Sequence, residues 1–250
     1  MYDLCGGKTY DPTTQECLND TTVVFFCNIT YGDSLACLTA DSLYVITQKG
    51  RAIAVDIGIR TESGKRTHIA TSNLVVNRIG SAYIPNNPAY IPSTRYSTST
   101  IPFEWDLFGF GDPTGKLTTD SLDKYPTVEN IEGTKYDIAY VKLGGKWRLP
   151  TNSELAQLTS ISSAVYTLSN TDGRLWTNSK LNTNLFIPFA GIRSGGTVSE
   201  ANKVGALWSS TKNASFVTYA YGLLFDANTT TTRTYKRYYD LSVRPLLVLE

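Results

Sequence analysis

Very few side chains in this 250-residue chain are equipped to do chemistry. There is one histidine, His68, and there are four cysteines, Cys5, Cys17, Cys27 and Cys37, all near the front. One histidine cannot serve a Ser-His-Asp or Cys-His set built elsewhere in the chain, and no Gly-x-Ser-x-Gly elbow occurs. His68 sits in the polar run KRTHIAT and reads as an exposed residue, not a ligand. Glu104, Asp106 and Asp112 form an acidic group beside aromatics, the residue type that glycoside hydrolysis needs in pairs. Asp112-Pro113, however, reads as the start of a turn. No catalytic residue is assigned, and the chain is read as a non-enzyme.

The cysteines lack the tight CxxC spacing of a zinc site. Two local disulfides are expected, most simply Cys5 with Cys17 and Cys27 with Cys37, with the other connectivities left open. Disulfides place the chain in an oxidising compartment, at the cell surface or outside the cell. The opening MYDLCGGK has no basic stretch followed by an apolar one, as a signal peptide would. No apolar run approaches the ~20 residues of a membrane span. A net charge of +1 gives no electrostatic reason to expect nucleic acid or an anionic membrane as partner.

Binding chemistry is better represented. Tyr219, Tyr221, Tyr235, Tyr238 and Tyr239 crowd the last third of the chain. Strand alternation sets Tyr219 and Tyr221 on one face, with Ala220 and Gly222 on the other. Tyrosine brings large contact area at low entropic cost, and neighbouring Ser and Asn add adaptable hydrogen bonds. Arg237 adds a charged anchor. The competing account is that these rings simply cover a sheet.

The element that must position this surface is GGKWRLPTNSE, residues 144–154. Pro150 keeps the chain extended up to Leu149. Thr151 and Glu154 have the spacing of a capping box. Leu155, Leu158 and Ile161 then mark the buried stripe of a short helix. Residues 1–42 read as a cysteine-stapled leader and 43–250 as the main domain. Residues 43–59 predict strands around a turn at Gly50, 80–100 a long surface loop, and 136–143 a short helix or strand. After the helix the chain reads as strands and loops: short strands at Leu175-Trp176 and NLFIPF, a glycine-rich loop over 191–205, a strand from Leu207, another over 216–225 (FVTYAYGLLF), a turn over 228–232, and two more strands from Thr234. Trp147, Trp176 and Trp208 are assigned to the core. Arg148 and Arg244 are read as buried arginines bridging carbonyls. The fold class is α+β, a mixed or antiparallel sheet with one or two helices and long loops.

GGKWRLPTNSEL, LFIPFAGIRSGG, VGALWSSTKNASFVTYAYGLLF and RYYDLSVRPL, in that order, resemble the Fibrobacter succinogenes-type major paralogous domain of Bacteroidetes surface proteins. AVDIGI and WDLFGFG resemble that family's opening strand and pre-helix loop. The match covers residues 51–250. It implies a C-type-lectin-like fold of the formylglycine-generating-enzyme kind, with N- and C-terminal strands paired so that 54–59 lie near 241–248. That fold's copper enzymes, the formylglycine-generating branch, need a late cysteine pair, and its iron-dependent branch several histidines; both are missing here. The Glu-Pro-Asn and Trp-Asn-Asp elements of calcium-dependent lectins are also missing. Neither cofactor nor metal is therefore expected. The resemblance implies a recognition module for an unidentified glycan or surface protein, with retroelement-diversified variable proteins as a special case. The candidate ligand-binding set is Ser194, Leu207, Asn213, Phe216, Tyr219, Tyr221, Arg237, Tyr238 and Tyr239. The alternative is a structural tip or stalk subunit of a fimbria or surface layer.

Overall fold

The computed structural model describes residues 52–85, 87–92, 104–113, 126–144, 146–195 and 197–248, with side chains from residue 54 onward, and the backbone of six strands between residues 3 and 45. The expected disulfides of Cys5, Cys17, Cys27 and Cys37 fall outside the described side chains.

In chain order, β1 (Asp3–Cys5) and β2 (Lys8–Tyr10) form a hairpin. An antiparallel run follows: β3 (Gln15–Leu18), β4 (Thr22–Tyr31), β5 (Ser34–Leu38), β6 (Ser42–Val45), β7 (Ala52–Val55) and β8 (Thr67–Ala70). The β5–β6 pairing crosses the boundary expected at residue 42. β9 (Val75–Asn77), β10 (Ala82–Tyr83) and β11 (Glu104–Trp105) make a small sheet, and β12 (Leu107–Gly109) leads toward α1 (Ile138–Leu143). β13 (Trp147–Arg148), α2 (Asn152–Gln157) and a 3-10 turn (Leu158–Ser160) come next.

The remainder is β: β14 (Ser163–Leu168), β15 (Thr171–Asn178), β16 (Thr183–Pro188), β17 (Ile192–Ser194), β18 (Thr197–Ser199), β19 (Val204–Lys212), β20 (Tyr219–Asp226), β21 (Thr230–Lys236), β22 (Asp240–Ser242) and β23 (Leu246–Val248). Among the described residues the fold is thus β-rich with two short helices. Among the described residues no helix is long and apolar enough to cross a membrane.

Two sheets dominate. One runs β13-β23-β8-β7-β6-β5-β4-β3, the other β18-β17-β22-β19-β20-β21, with β12 also paired to β22. The expected pairing of the first domain strand with the last is not direct. β8 lies between β7 and β23, taking Ile69 opposite both Val55 and Leu246. That position corrects the reading of His68. Flanked on both sides by strands, β8 has no exposed residue, and His68 is 0% exposed. The glycine-rich loop expected over 191–205 contains the β17–β18 hairpin. The turn expected over 228–232 is shorter, because β21 already begins at Thr230.

Trp147, Trp176 and Trp208 are buried as expected. Trp208 donates from Nε1 to the Phe108 carbonyl at 2.7 Å, which satisfies the indole in a water-free setting. Arg244 is fully buried and reaches the carbonyls of Ala70 and Phe186. The capping box is present: the Glu154 N–H donates to Thr151 Oγ1, and the Thr151 N–H donates to Glu154 Oε2. The same carboxylate holds buried Arg148 by paired bonds of 2.7 and 2.5 Å. Arg148 Nε also meets Glu132 at 2.7 Å, so the helix start is locked to the strand before it.

Candidate ligand-binding surface

The surface begins with Asn213, placed where β19 ends. Its side chain is nearly buried, and its Oδ1 accepts from the N–H groups of Ser215 and Phe216 at 2.9 and 2.8 Å. This Asx turn reverses the chain. The loop closes through Asn213 N–H to the Tyr219 carbonyl and Tyr219 N–H to the Phe216 carbonyl. Strand β20 therefore begins at Tyr219, not at Phe216 as the apolar run suggested. Phe216 and Val217, freed from the sheet, stand 64% and 66% exposed.

Arg237 ties this loop to the second one. Its guanidinium donates to the Val217 carbonyl at 2.9 Å and to the Pro126 carbonyl at 2.8 Å, and stacks 5.1 Å from the Phe110 ring. Its backbone N–H donates to the Thr218 carbonyl. The side chain is buried, so Arg237 acts as a bracket under the surface and not as an exposed anchor.

Beyond Arg237 the chain turns again, with Tyr239 N–H on the Lys236 carbonyl. Tyr238 and Tyr239 meet edge to face at 5.1 Å, and Phe216 and Tyr219 do the same at 6.0 Å. Antiparallel register sets Tyr219 opposite Lys236. The Lys236 ammonium lies 5.5 Å from the Tyr238 ring. Its hydrogen bond to Tyr238, with Tyr219 and Tyr239 near, holds it above the ordinary lysine range. Phe216, Val217, Tyr219, Tyr238, Tyr239 and Lys236 thus share one partly exposed surface.

The alternation along β20 is as read: Tyr219 and Tyr221 are half-exposed while Ala220 and Gly222 are buried. A Cβ at Gly222 would come within 2.6 Å of the Leu207 carbonyl, so only glycine lets β19 and β20 approach here. Tyr235 faces inward and packs on Trp208 at 5.9 Å; burial pushes its phenol upward. Leu207 is removed from the candidate set because its side chain is wholly buried among Leu155, Trp176 and Leu223. Asn213 and Arg237 shape the surface from below. Ser194 is exposed on β17, which is pinned to β22 by the Arg193–Asp240 ion pair. Ser194 directly follows Arg193, whose pairing with Asp240 brings β17 beside the residue after Tyr239. Val217 and Lys236 belong to the surface and were not anticipated. A strand reading of 216–225 hides Val217, and only the β20–β21 register reveals Lys236.

The other candidates are distributed differently. Glu104 accepts from the phenols of Tyr83 and Tyr90, and Asp106 is fully buried against Asn73. A polar cleft of about 410 Å³ lies beside Arg148, between Thr61–Lys65 and Asn130–Glu132. Its side chains largely bond one another: Ser153 to Glu62, Asn130 to Glu132, Arg148 to Glu132 and Glu154. Among the described residues, no three His, Cys, Asp or Glu side chains converge as a metal site requires. Comparisons with family models, curated proteins and solved structures find no match to this chain.

Proposed function

We propose that this chain is an extracellular recognition module that grips a glycan or protein ligand through its aromatic surface without a metal. The single observation that carries this reading is the pair of loops bracketed by Arg237, which hold Phe216 and Val217 out in solvent beside half-exposed Tyr219, Tyr238 and Tyr239, the last also resting against the core. Exposed aromatic and apolar groups of this density have no structural need to face water. Held by backbone hydrogen bonds on both sides, they lose little entropy on binding. Lys236 and Ser194 add polar contacts at the rim, where orientation and specificity are set. The sequence resemblance to the major paralogous domain supports the same reading and extends it to a C-type-lectin-like scaffold, with the loops that precede and follow β20 and β21 as its variable surface.

A glycan array and a surface-protein array, both probed in chelator, test the proposal. Saturable binding by the intact chain, weakened by Phe216→Ser, is the expected result. Binding that appears only with added calcium, or that ignores Phe216→Ser, overturns it.

A further inference from the structure

The edge strands of the described sheets are protected unequally. β21, at the end of its sheet, carries Arg233 and Lys236. β18 and β13 are short, and β16 is almost wholly buried. β14 is the exception. It is six residues long, SAVYTL, with no charge and no proline, and Ala164 to Thr167 are exposed. Val165 and Tyr166 stand 47% and 46% exposed. Edge strands ordinarily carry charges, prolines or bulges that discourage pairing.

The hydrogen-bond parity of this edge is fixed. Ser169 and Asn170 both have positive φ, 50° and 62°, as a two-residue type I′ turn requires. Thr177 N–H donates to the Ser162 carbonyl. Pairing in β14–β15 is in continuous register from Ser163–Trp176 to Leu168–Thr171. Ser162, Ala164, Tyr166 and Leu168 therefore direct their backbone groups inward to β15, and Ser163, Val165 and Thr167 direct theirs outward.

We propose that β14 is a homodimer edge, pairing antiparallel with β14 of a second copy about a two-fold axis through Val165. An axis normal to the sheet requires a residue to face its own copy. Centring on Val165 sets Ser163 opposite Thr167 and Ala164 opposite Tyr166. It engages every outward N–H and C=O of Ser163, Val165 and Thr167, for about six ladder bonds. No charge meets a like charge, because the nearest ones, Asp172 and Arg174, sit on β15 behind the edge. Tyr166 leans over Gly173 onto Phe186, at 6.3 Å, so its ring is already ordered. A second copy supplies what this edge lacks, a strand of identical length, parity and neutrality. An interface this small sits at the weak end of specific associations.

Sedimentation equilibrium of the full chain from micromolar to millimolar concentration tests this, since small interfaces associate weakly. The wild type is expected to show a monomer–dimer equilibrium. Val165→Pro deletes an outward N–H and no inward bond, so it is expected to keep the wild-type circular dichroism and weaken the dimer at least tenfold. Phe216→Ser, on the aromatic surface, is expected to leave the dimer unchanged. A wild type that stays monomeric throughout, as it would if β14 received a strand from another protein, overturns the proposal. So does open-ended association, or a dimer lost in Phe216→Ser and kept in Val165→Pro.

Discussion

The Arg237 guanidinium donates to the Val217 carbonyl at 2.9 Å, joining residues 20 apart in sequence and two loops of one surface. The same side chain reaches Pro126, so a third segment is tied to the bracket. The exposed side chains of this surface are held from below by a buried cation.

Replacing Arg237 should therefore loosen the surface before it changes any exposed group. Arg237→Ala leaves two carbonyls without their donor and is expected to cost about 2–3 kcal/mol in urea unfolding. Arg237→Lys, which keeps charge but not the fork, should fall between. Amide exchange over 213–219 should accelerate in both. Unchanged exchange in Arg237→Ala would contradict the bracket.

His68 predicts a dependence on pH. Burial, with Arg66 adding repulsion, depresses its pKa to about 4 from 6.5. The folded value lies below the unfolded one, so the stability is fully present above about pH 6.5 and is lost as pH falls toward 4. Each unit in that window costs up to about 1.4 kcal/mol. Among the described residues neither ring nitrogen has a hydrogen-bond partner. His68→Leu should therefore be more stable than wild type, by a margin that widens as pH drops from 6.5 to 4. A margin that stays constant across the window, or a less stable variant, would contradict this.

Glu154 closes the capping box and balances buried Arg148. Glu154→Gln should destabilise by about 3 kcal/mol, because it strips a carboxylate from a buried guanidinium that Glu132 only partly compensates. Arg148→Met combined with Glu154→Gln should cost less than the sum of the single changes in a double-mutant cycle.

Gly222→Ala tests the closeness of the strands beneath Tyr221. The added methyl meets the Leu207 carbonyl and the Tyr235 ring, so a loss of about 1–3 kcal/mol is expected by thermal unfolding.

Local signals were legible in the chain wherever one short segment decides its own structure. Thr151 and Glu154 announce their helix start, the Tyr-Ala-Tyr-Gly run its alternation, and the tryptophans their burial. What the chain does not display locally is decided by neighbours far away. His68 sits among polar residues yet is buried because β7 and β23 flank it. Phe216 continues an apolar run yet leaves the sheet because the Asn213 side chain caps the turn before it. Leu207 leads into a Ser-, Thr- and Asn-rich segment but points into the core, since register with Leu223 fixes its face. Of the β14–β15 hairpin only Leu175-Trp176 reads as strand in the sequence, because its turn is Ser169-Asn170 and not the stronger Asn-Gly signal.

The central claim is that tyrosines on these loops hold the ligand without metal. Isothermal titration of an array-identified ligand in chelator, comparing the intact chain with the Tyr219→Ala, Tyr239→Ala double variant, tests it most directly. At about 2 kcal/mol for each aromatic, affinity should fall by at least ~100-fold while circular dichroism and dimerisation stay as in wild type. Full affinity in a folded double variant would contradict the account.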